Sequence, residues 1–323
     1  VDENLSDEEK AGRERMLLSG SWLVSYTWSP DGKALLLPLA GDAFYYRLGE
    51  PNAQRLLATP EFETDIKFSP KGNYISFIRD QNIIIKHISS GKETAITTTG
   101  GDNIKFGMAE FVAQEEMSRL TGYWWSPDET NIAFTRIDET PVDIITRSEI
   151  YAERITMIQQ KYPKAGSPNV LVELFVQDIN TAKRVAVDLG KDNDIYLPRV
   201  KWTNNADLLS YQVQSRDQKT LSLYAFSVSK QSSKVLLTER SNTWINLHDD
   251  LTFLTQQDAF IWRSERDGFA HLYLYTNEGK LIKQLTQGQY VVTKIEASDE
   301  IAGKLYVSAR KDTPLESHLY ALD

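Results

Sequence analysis

Tyr123-Trp124-Trp125-Ser126-Pro127-Asp128 joins a run of aromatic residues to a turn whose proline is pre-set for the first corner. The same pattern stands upstream as Tyr26-Thr27-Trp28-Ser29-Pro30-Asp31-Gly32, and again as Ile66-Lys67-Phe68-Ser69-Pro70-Lys71-Gly72. Short alternating apolar runs follow each copy, as half-buried strands require. After the first copy they cover residues 34–39, 43–48 and a stretch around Arg55-Leu56-Leu57; after the second, residues 74–78, 83–88 and 94–96. Trp28 and Phe68 lie 40 residues apart, the period of a four-stranded propeller blade.

The third copy opens at Trp125 and continues through residues 132–134, but its last strands come only at 172–179. It therefore holds two insertions, at about 105–122 and 138–170. A fourth, degenerate copy covers residues 200–204, 208–213 and 221–228. A fifth spans roughly 234–275 and a sixth 281–322. One blade cannot bury both of its faces, whereas radial stacking lets each blade cover its neighbour. The expected fold is all-β, a β-propeller of four-stranded blades with about six blade repeats and a short helical insertion. Residues 1–20 read as a polar lead-in, with Ser6-Asp7-Glu8-Glu9 as the start of a helix over about 7–17, and 21–323 as the propeller.

Composition narrows the chemistry. The formal charge of −9 disfavours nucleic acid and mildly favours cationic ligands. No run of about 18 apolar residues occurs, so no membrane span is expected. Val1 begins the chain without a signal sequence, which reads as a mature product or an excised piece. The absence of cysteine removes disulfides, thiolate metal sites and cysteine nucleophiles. His87, His248, His271 and His318 are scattered, with no pair at metal-ligand spacing, and Asp249-Asp250 reads as solvated charge between strands. No cofactor or metal is expected. Neither a Gly-x-Ser-x-Gly elbow nor a glycine-rich phosphate loop is present.

One acidic feature stands out. The insertion ahead of Tyr123 carries Glu115 and Glu116 within Gln114 to Leu120, a run of helix formers without Gly or Pro. Adjacent carboxylates on one short helix are badly placed to flank a glycosidic bond from both sides. They are well placed to hold a compact cation such as an α-ammonium, which has three donors and a pKa near 8. The competing account is an exposed helix face with Arg119 as an i,i+4 or i,i+3 partner, and pattern alone leans that way.

Phe111-Val112-Ala113-Gln114-Glu115-Glu116-Met117, followed by Thr121-Gly122-Tyr123-Trp124-Trp125-Ser126-Pro127, resembles the double-glutamate segment of the dipeptidyl peptidase IV family. The likeness to bacterial members and to the dipeptidyl peptidase 8 and 9 branch is especially close. It continues through Pro141-Val142-Asp143, Tyr162-Pro163-Lys164-Ala165-Gly166, Trp244-Ile245-Asn246-Leu247-His248-Asp249-Asp250 and Ser264-Glu265-Arg266-Asp267-Gly268-Phe269.

The resemblance implies an eight-bladed propeller joined to an α/β-hydrolase domain that carries a Ser-Asp-His triad, in a serine peptidase removing dipeptides from free N-termini. It implies that Glu115 and Glu116 bind the substrate's N-terminal amine and that the partners are peptides with free N-termini. It also implies a C-terminal hydrolase domain absent from this chain, a periplasmic or secreted location and the option of homo-oligomers. The family's arginine near the substrate carbonyl has no clear match; Arg79 and Arg47 are the arginines that could stand in. The reading from a different class is a stand-alone propeller of the TolB or WD type, acting as an interaction scaffold.

Overall fold

Each Ser-Pro turn is built the same way. Gly32 N–H donates to the Ser29 carbonyl (2.9 Å), Gly72 to Ser69 (3.0 Å) and Glu129 to Ser126 (3.0 Å), closing a turn whose last residue has positive φ. The serine hydroxyl accepts the N–H that starts the next strand, from Ala34 to Ser29 and from Asn131 to Ser126, both at 2.9 Å. It also donates to the aspartate two residues on, at 2.6 Å in each case. The second copy has Lys71 where the others have aspartate. There the carboxylate comes from the neighbouring turn: Glu129 accepts the Lys71 N–H (2.6 Å) and the Asn73 amide (2.7 Å).

The computed structural model describes residues 25–39, 42–57, 59, 61 and 63–323, so the helix expected over 7–17 lies outside the described residues. The chain divides after Tyr196 into two compact units. The first unit holds three sheets. Sheet 1 runs Thr27–Trp28, Ala34–Leu39, Asp42–Arg47, Gln54–Arg55; sheet 2 runs Thr64–Phe68, Tyr74–Arg79, Asn82–His87, Glu93–Ala95. Sheet 3 runs Tyr123–Trp125, Asn131–Asp138, Leu171–Asp178, Arg184–Val187, with Ile104–Phe106 also on Asn131–Asp138. A separate hairpin, Ile144–Ile150 with Ile155–Lys161, rises between the second and third of these strands.

The second unit holds sheet 4 (Val200–Trp202, Leu208–Ser215, Thr220–Ser227, Ser232–Arg240) and sheet 5 (Thr252–Phe253, Ala259–Ser264, His271–Thr276, Leu281–Gln284). Sheet 6 has three strands, Val291–Asp299, Lys304–Arg310 and His318–Leu322. Every strand pair given a register is antiparallel and joins successive strands, apart from the insertions in sheet 3.

Within each unit the sheets pack face to face. Leu36, Ala43 and Leu57 of sheet 1 and its edge meet Ile75 and Phe77 of sheet 2, while Ile78 and Ile83 meet Phe106, Tyr123 and Phe134 of sheet 3. In the second unit Leu221 and Leu223 meet Phe260 and Trp262, and Ile261 and Leu272 meet Val292 and Val307. Burying side chains of this size contributes about 1.5–3 kcal/mol each.

A lysine bolts two of these junctions. Lys67 and Lys201 occupy the same place in Ile-Lys-Phe and Val-Lys-Trp, and each donates to a backbone carbonyl of the next sheet's edge: Lys67 to Tyr123 (3.2 Å), Lys201 to Leu251 (2.9 Å). Burial pushes both ammonium groups below the usual lysine range.

The fold class agrees with the reading of the sequence, but copies five and six begin elsewhere. Residues 234–240 belong to the last strand of sheet 4, and Leu281–Gln284 is the last strand of sheet 5 rather than the start of a sixth unit. Those outer strands are largely exposed and carry little apolar alternation. The true first strand of sheet 6, Val291–Asp299, is broken by two register shifts that spoil its period.

Candidate functional site

The helical insertion grows out of the middle of a strand. Ile104–Phe106 pairs with Arg136–Asp138, and Tyr123–Trp125 pairs with Ile132–Phe134, so the two short strands lie end to end along one partner. Thr135, between them, holds the neck of the intervening loop. Its N–H donates to the Gly122 carbonyl and its carbonyl accepts the Gly107 N–H, both at 2.8 Å; its hydroxyl donates to the Met108 carbonyl at 2.9 Å. Gly122 N–H closes onto the Gly107 carbonyl (3.0 Å).

A side chain at either glycine would crowd the neck. A Cβ on Gly122 would lie 2.3 Å from the Met108 oxygen, and one on Gly107 would lie 2.6 Å from Ile83 in a φ +68° conformation. Sheet 2 anchors the exit: Lys67 donates to Thr121 Oγ1 (2.6 Å), which donates to Asp65 (2.5 Å), and Tyr123 OH donates to the Asp65 carbonyl (2.5 Å). Desolvation pushes the Asp65 carboxyl up and the Lys67 ammonium down, partly offset by their mutual attraction.

Inside the loop lies one helix, α1, Phe111–Glu116. The sequence placed helix over 114–120; the structure starts it earlier and stops it at Glu116. Ser118 has φ +54°, and Arg119 N–H turns back to the Ala113 carbonyl (2.9 Å), so the backbone leaves the helix before Leu120. Ala113 and Met117 are buried, Phe111 packs edge-on against Tyr162 with centroids 5.1 Å apart, and Gln114 Nε2 donates to the Ala109 carbonyl (2.6 Å).

Glu115 and Glu116 form the last turn of α1 and are both exposed. A helix C-terminus carries partial negative charge, so two carboxylates there concentrate negative potential instead of balancing it. Arg119 does not neutralise them. It is buried at 5% exposure, and its Nη2 donates to the carboxylate of Glu110, 2% exposed, at 2.5 Å. Its Nη1 donates to the Thr121 carbonyl (2.9 Å), and its Nε has no partner among the described residues. The surface pair that i,i+4 spacing suggested is absent. The Glu110–Arg119 pair was not legible, because its partners are nine residues apart and meet only through the loop's tertiary fold.

The other candidates lie outside this loop. Arg79 pairs with Glu63 (2.8 Å) and Glu93 (3.0 Å); Arg47 is exposed at the end of its strand. In the second unit, Asp249 meets Arg199 at 2.5 Å and Asp250 meets Arg263 at 2.9 Å. Asp250 is buried, not solvated, and also accepts the Ile295 N–H (2.7 Å). Among the described residues no group of three or more His, Asp or Glu is placed to hold a metal ion, and no helix is long and apolar enough to cross a membrane.

Comparison with known proteins gives this frame a family. The model of the dipeptidyl peptidase IV N-terminal region matches residues 29–323. A probable dipeptidyl-aminopeptidase B of Arthroderma gypseum is 28% identical over 304 residues, covering 85% of this chain and 32% of the relative. A probable dipeptidyl peptidase 4 of Aspergillus fumigatus is 27% identical over 283 residues, covering 81% and 37%. The crystal structure of Porphyromonas gingivalis dipeptidyl peptidase 4 superposes with a TM-score of 0.84 at 28% identity, over 94% of this chain and 45% of that one. The chain thus spans about a third of the length of these curated relatives. The six-sheet frame and the match over nearly all of its length lead to one statement of kinship: this chain belongs to the dipeptidyl peptidase IV N-terminal-region family.

Proposed function

We propose that this chain is the non-catalytic, substrate-selecting propeller portion of a dipeptidyl-peptidase-IV-like serine peptidase. Glu115 and Glu116 bind the free N-terminal ammonium of peptide substrates. The propeller restricts access to an active site carried by an α/β-hydrolase domain. The observation that carries this reading is the placement of two exposed carboxylates on the C-terminal turn of a helix whose loop is clamped at its neck. A periplasmic or secreted setting, where peptides are the available substrates, goes with it.

The chemistry is selective for three reasons. An α-ammonium is compact, has three donors and is mostly charged at neutral pH. A charge-assisted bond to each carboxylate contributes about 1.5–3 kcal/mol. Fixing the amine also fixes how far along the peptide the reacting carbonyl lies, so one contact governs both affinity and alignment.

In the full-length polypeptide that carries this chain, Glu115→Gln and Glu116→Gln are each expected to lower kcat/KM on a free-amine Xaa-Pro substrate by about tenfold to a hundredfold. An N-blocked counterpart should be a poor substrate for wild type and variants alike, and the melting temperature should shift little. Unchanged kinetics on the free substrate would return both glutamates to the role of surface charge.

A further inference from the structure

The short helix that presents Glu115 and Glu116 has little to hold it by itself. Six residues are far fewer than an isolated helix needs in water. Glu110, at the position before the first turn, makes no side-chain cap, and the first turn has no acidic residue. At the other end two neighbouring carboxylates repel each other and oppose the helix dipole. Local forces therefore favour unwinding where the charge pair sits.

Glu110 and Arg119 lie immediately before and shortly after the helix, and their side chains meet beneath it. The contact ties the two ends of α1 together, and the second arm of Arg119 reaches the Thr121 carbonyl, next to the glycine neck. Burying two charges is costly, and an apolar pair of similar volume often stabilises a fold as well or better. What an ion pair adds is direction: a guanidinium gripping a carboxylate on one arm and a carbonyl on the other fixes an angle as well as a separation.

We propose that Glu110 and Arg119 are positioning residues for amine recognition, which hold the Glu115–Glu116 turn in its ligand-ready geometry. The proposal rests on the reading of Glu115 and Glu116 as the amine site, and its test separates the two.

The readout is the preference, in the full-length polypeptide, for a chromogenic Xaa-Pro substrate over a desamino counterpart that lacks only the α-ammonium. Glu110→Gln and Arg119→Lys are the variants; Arg119→Lys keeps the charge and covers the case in which Glu110→Gln does not fold. We expect the preference to fall about tenfold or more, mostly through KM, with desamino turnover within about twofold of wild type. Equal losses on both substrates would mark the pair as merely structural and overturn the proposal. So would folded variants that keep the wild-type preference while Glu115→Gln and Glu116→Gln lose it. If the Glu115 and Glu116 variants also keep the preference, the amine site itself is wrong and the positioning role falls with it.

Discussion

His248 shows at the scale of one residue how far this fold takes a titratable group from water. Its ring lies edge-on to Trp262 with centroids 4.5 Å apart, it is 8% exposed, and its Nδ1 accepts the Asp250 N–H at 3.3 Å. Burial, reinforced by the charges of Arg263 and Arg199, lowers its pKa to about 3. A pKa depressed in the folded state means that the unfolded chain binds the proton more readily. The stability associated with neutral His248 is therefore complete above about pH 6.5 and is lost as the pH falls toward 3. Between pH 6 and 5 the loss should be about 1 kcal/mol. Asp250 works in the opposite sense, since burial raises its carboxyl pKa and protonation then favours the folded state. Both proteins of a wild-type and His248→Phe comparison retain Asp250, so the difference isolates the histidine. Urea denaturation at the two pH values should show a flatter pH dependence in His248→Phe; equal slopes would mean that His248 titrates normally.

At the scale of the element, the decisive structure is the loop spliced into the inner strand of sheet 3. Gly122→Ala sets a methyl against the Met108 carbonyl and the Gly107 carbon, both of them backbone atoms that cannot turn aside. Overpacking of this kind costs about 1–3 kcal/mol. We expect a lower melting temperature and, under the proposed function, weaker selection for free amines, because the neck that gives way also carries α1. A variant with wild-type stability and selectivity would show that the neck relaxes easily. The limits of the sequence lie in the same element. The Ser-Pro turns and the alternating strands behind them are legible because proline, a capping serine and a period of two each leave a local mark. The outer strands of sheets 4 and 5 leave little, since much of each faces water. Ile104–Phe106 is only three residues long, and its partnership with the far half of Asn131–Asp138 is purely tertiary. Glu115 and Glu116 were visible as adjacent charges and through family likeness, whereas Glu110 and Arg119 became visible only as a buried contact.

At the scale of the whole molecule, the proposed function assigns this chain selection and leaves cleavage to another domain. Acyl transfer needs a nucleophile beside a base, a third group orienting that base, and donors for the oxyanion. The sequence has no cysteine and no Gly-x-Ser-x-Gly elbow. Its histidines are occupied in other ways. His271 is fully buried between Thr286 (3.0 Å) and the Gly288 carbonyl (2.9 Å), and His318 lies exposed beside Glu316. His87 comes nearest to a catalytic pair, with Nδ1 3.2 Å from Ser89 Oγ and 3.1 Å from Ser90 Oγ. That nitrogen also accepts the Ser90 backbone N–H (3.3 Å), the ring packs edge-on against Tyr74, and no carboxylate among the described residues bonds to it. The contact fastens a turn between two strands and does not activate a hydroxyl. The purified chain should therefore give no turnover of a chromogenic Xaa-Pro substrate. Under the proposed function it should still bind a free-amine Xaa-Pro peptide better than the N-acetylated form, a difference measurable by calorimetric titration. Turnover that survives repurification and is blocked by a serine-directed inhibitor would overturn the first expectation. Equal binding of the two peptides by a folded chain would count against the second, and would move amine recognition from this chain to its union with the hydrolase domain.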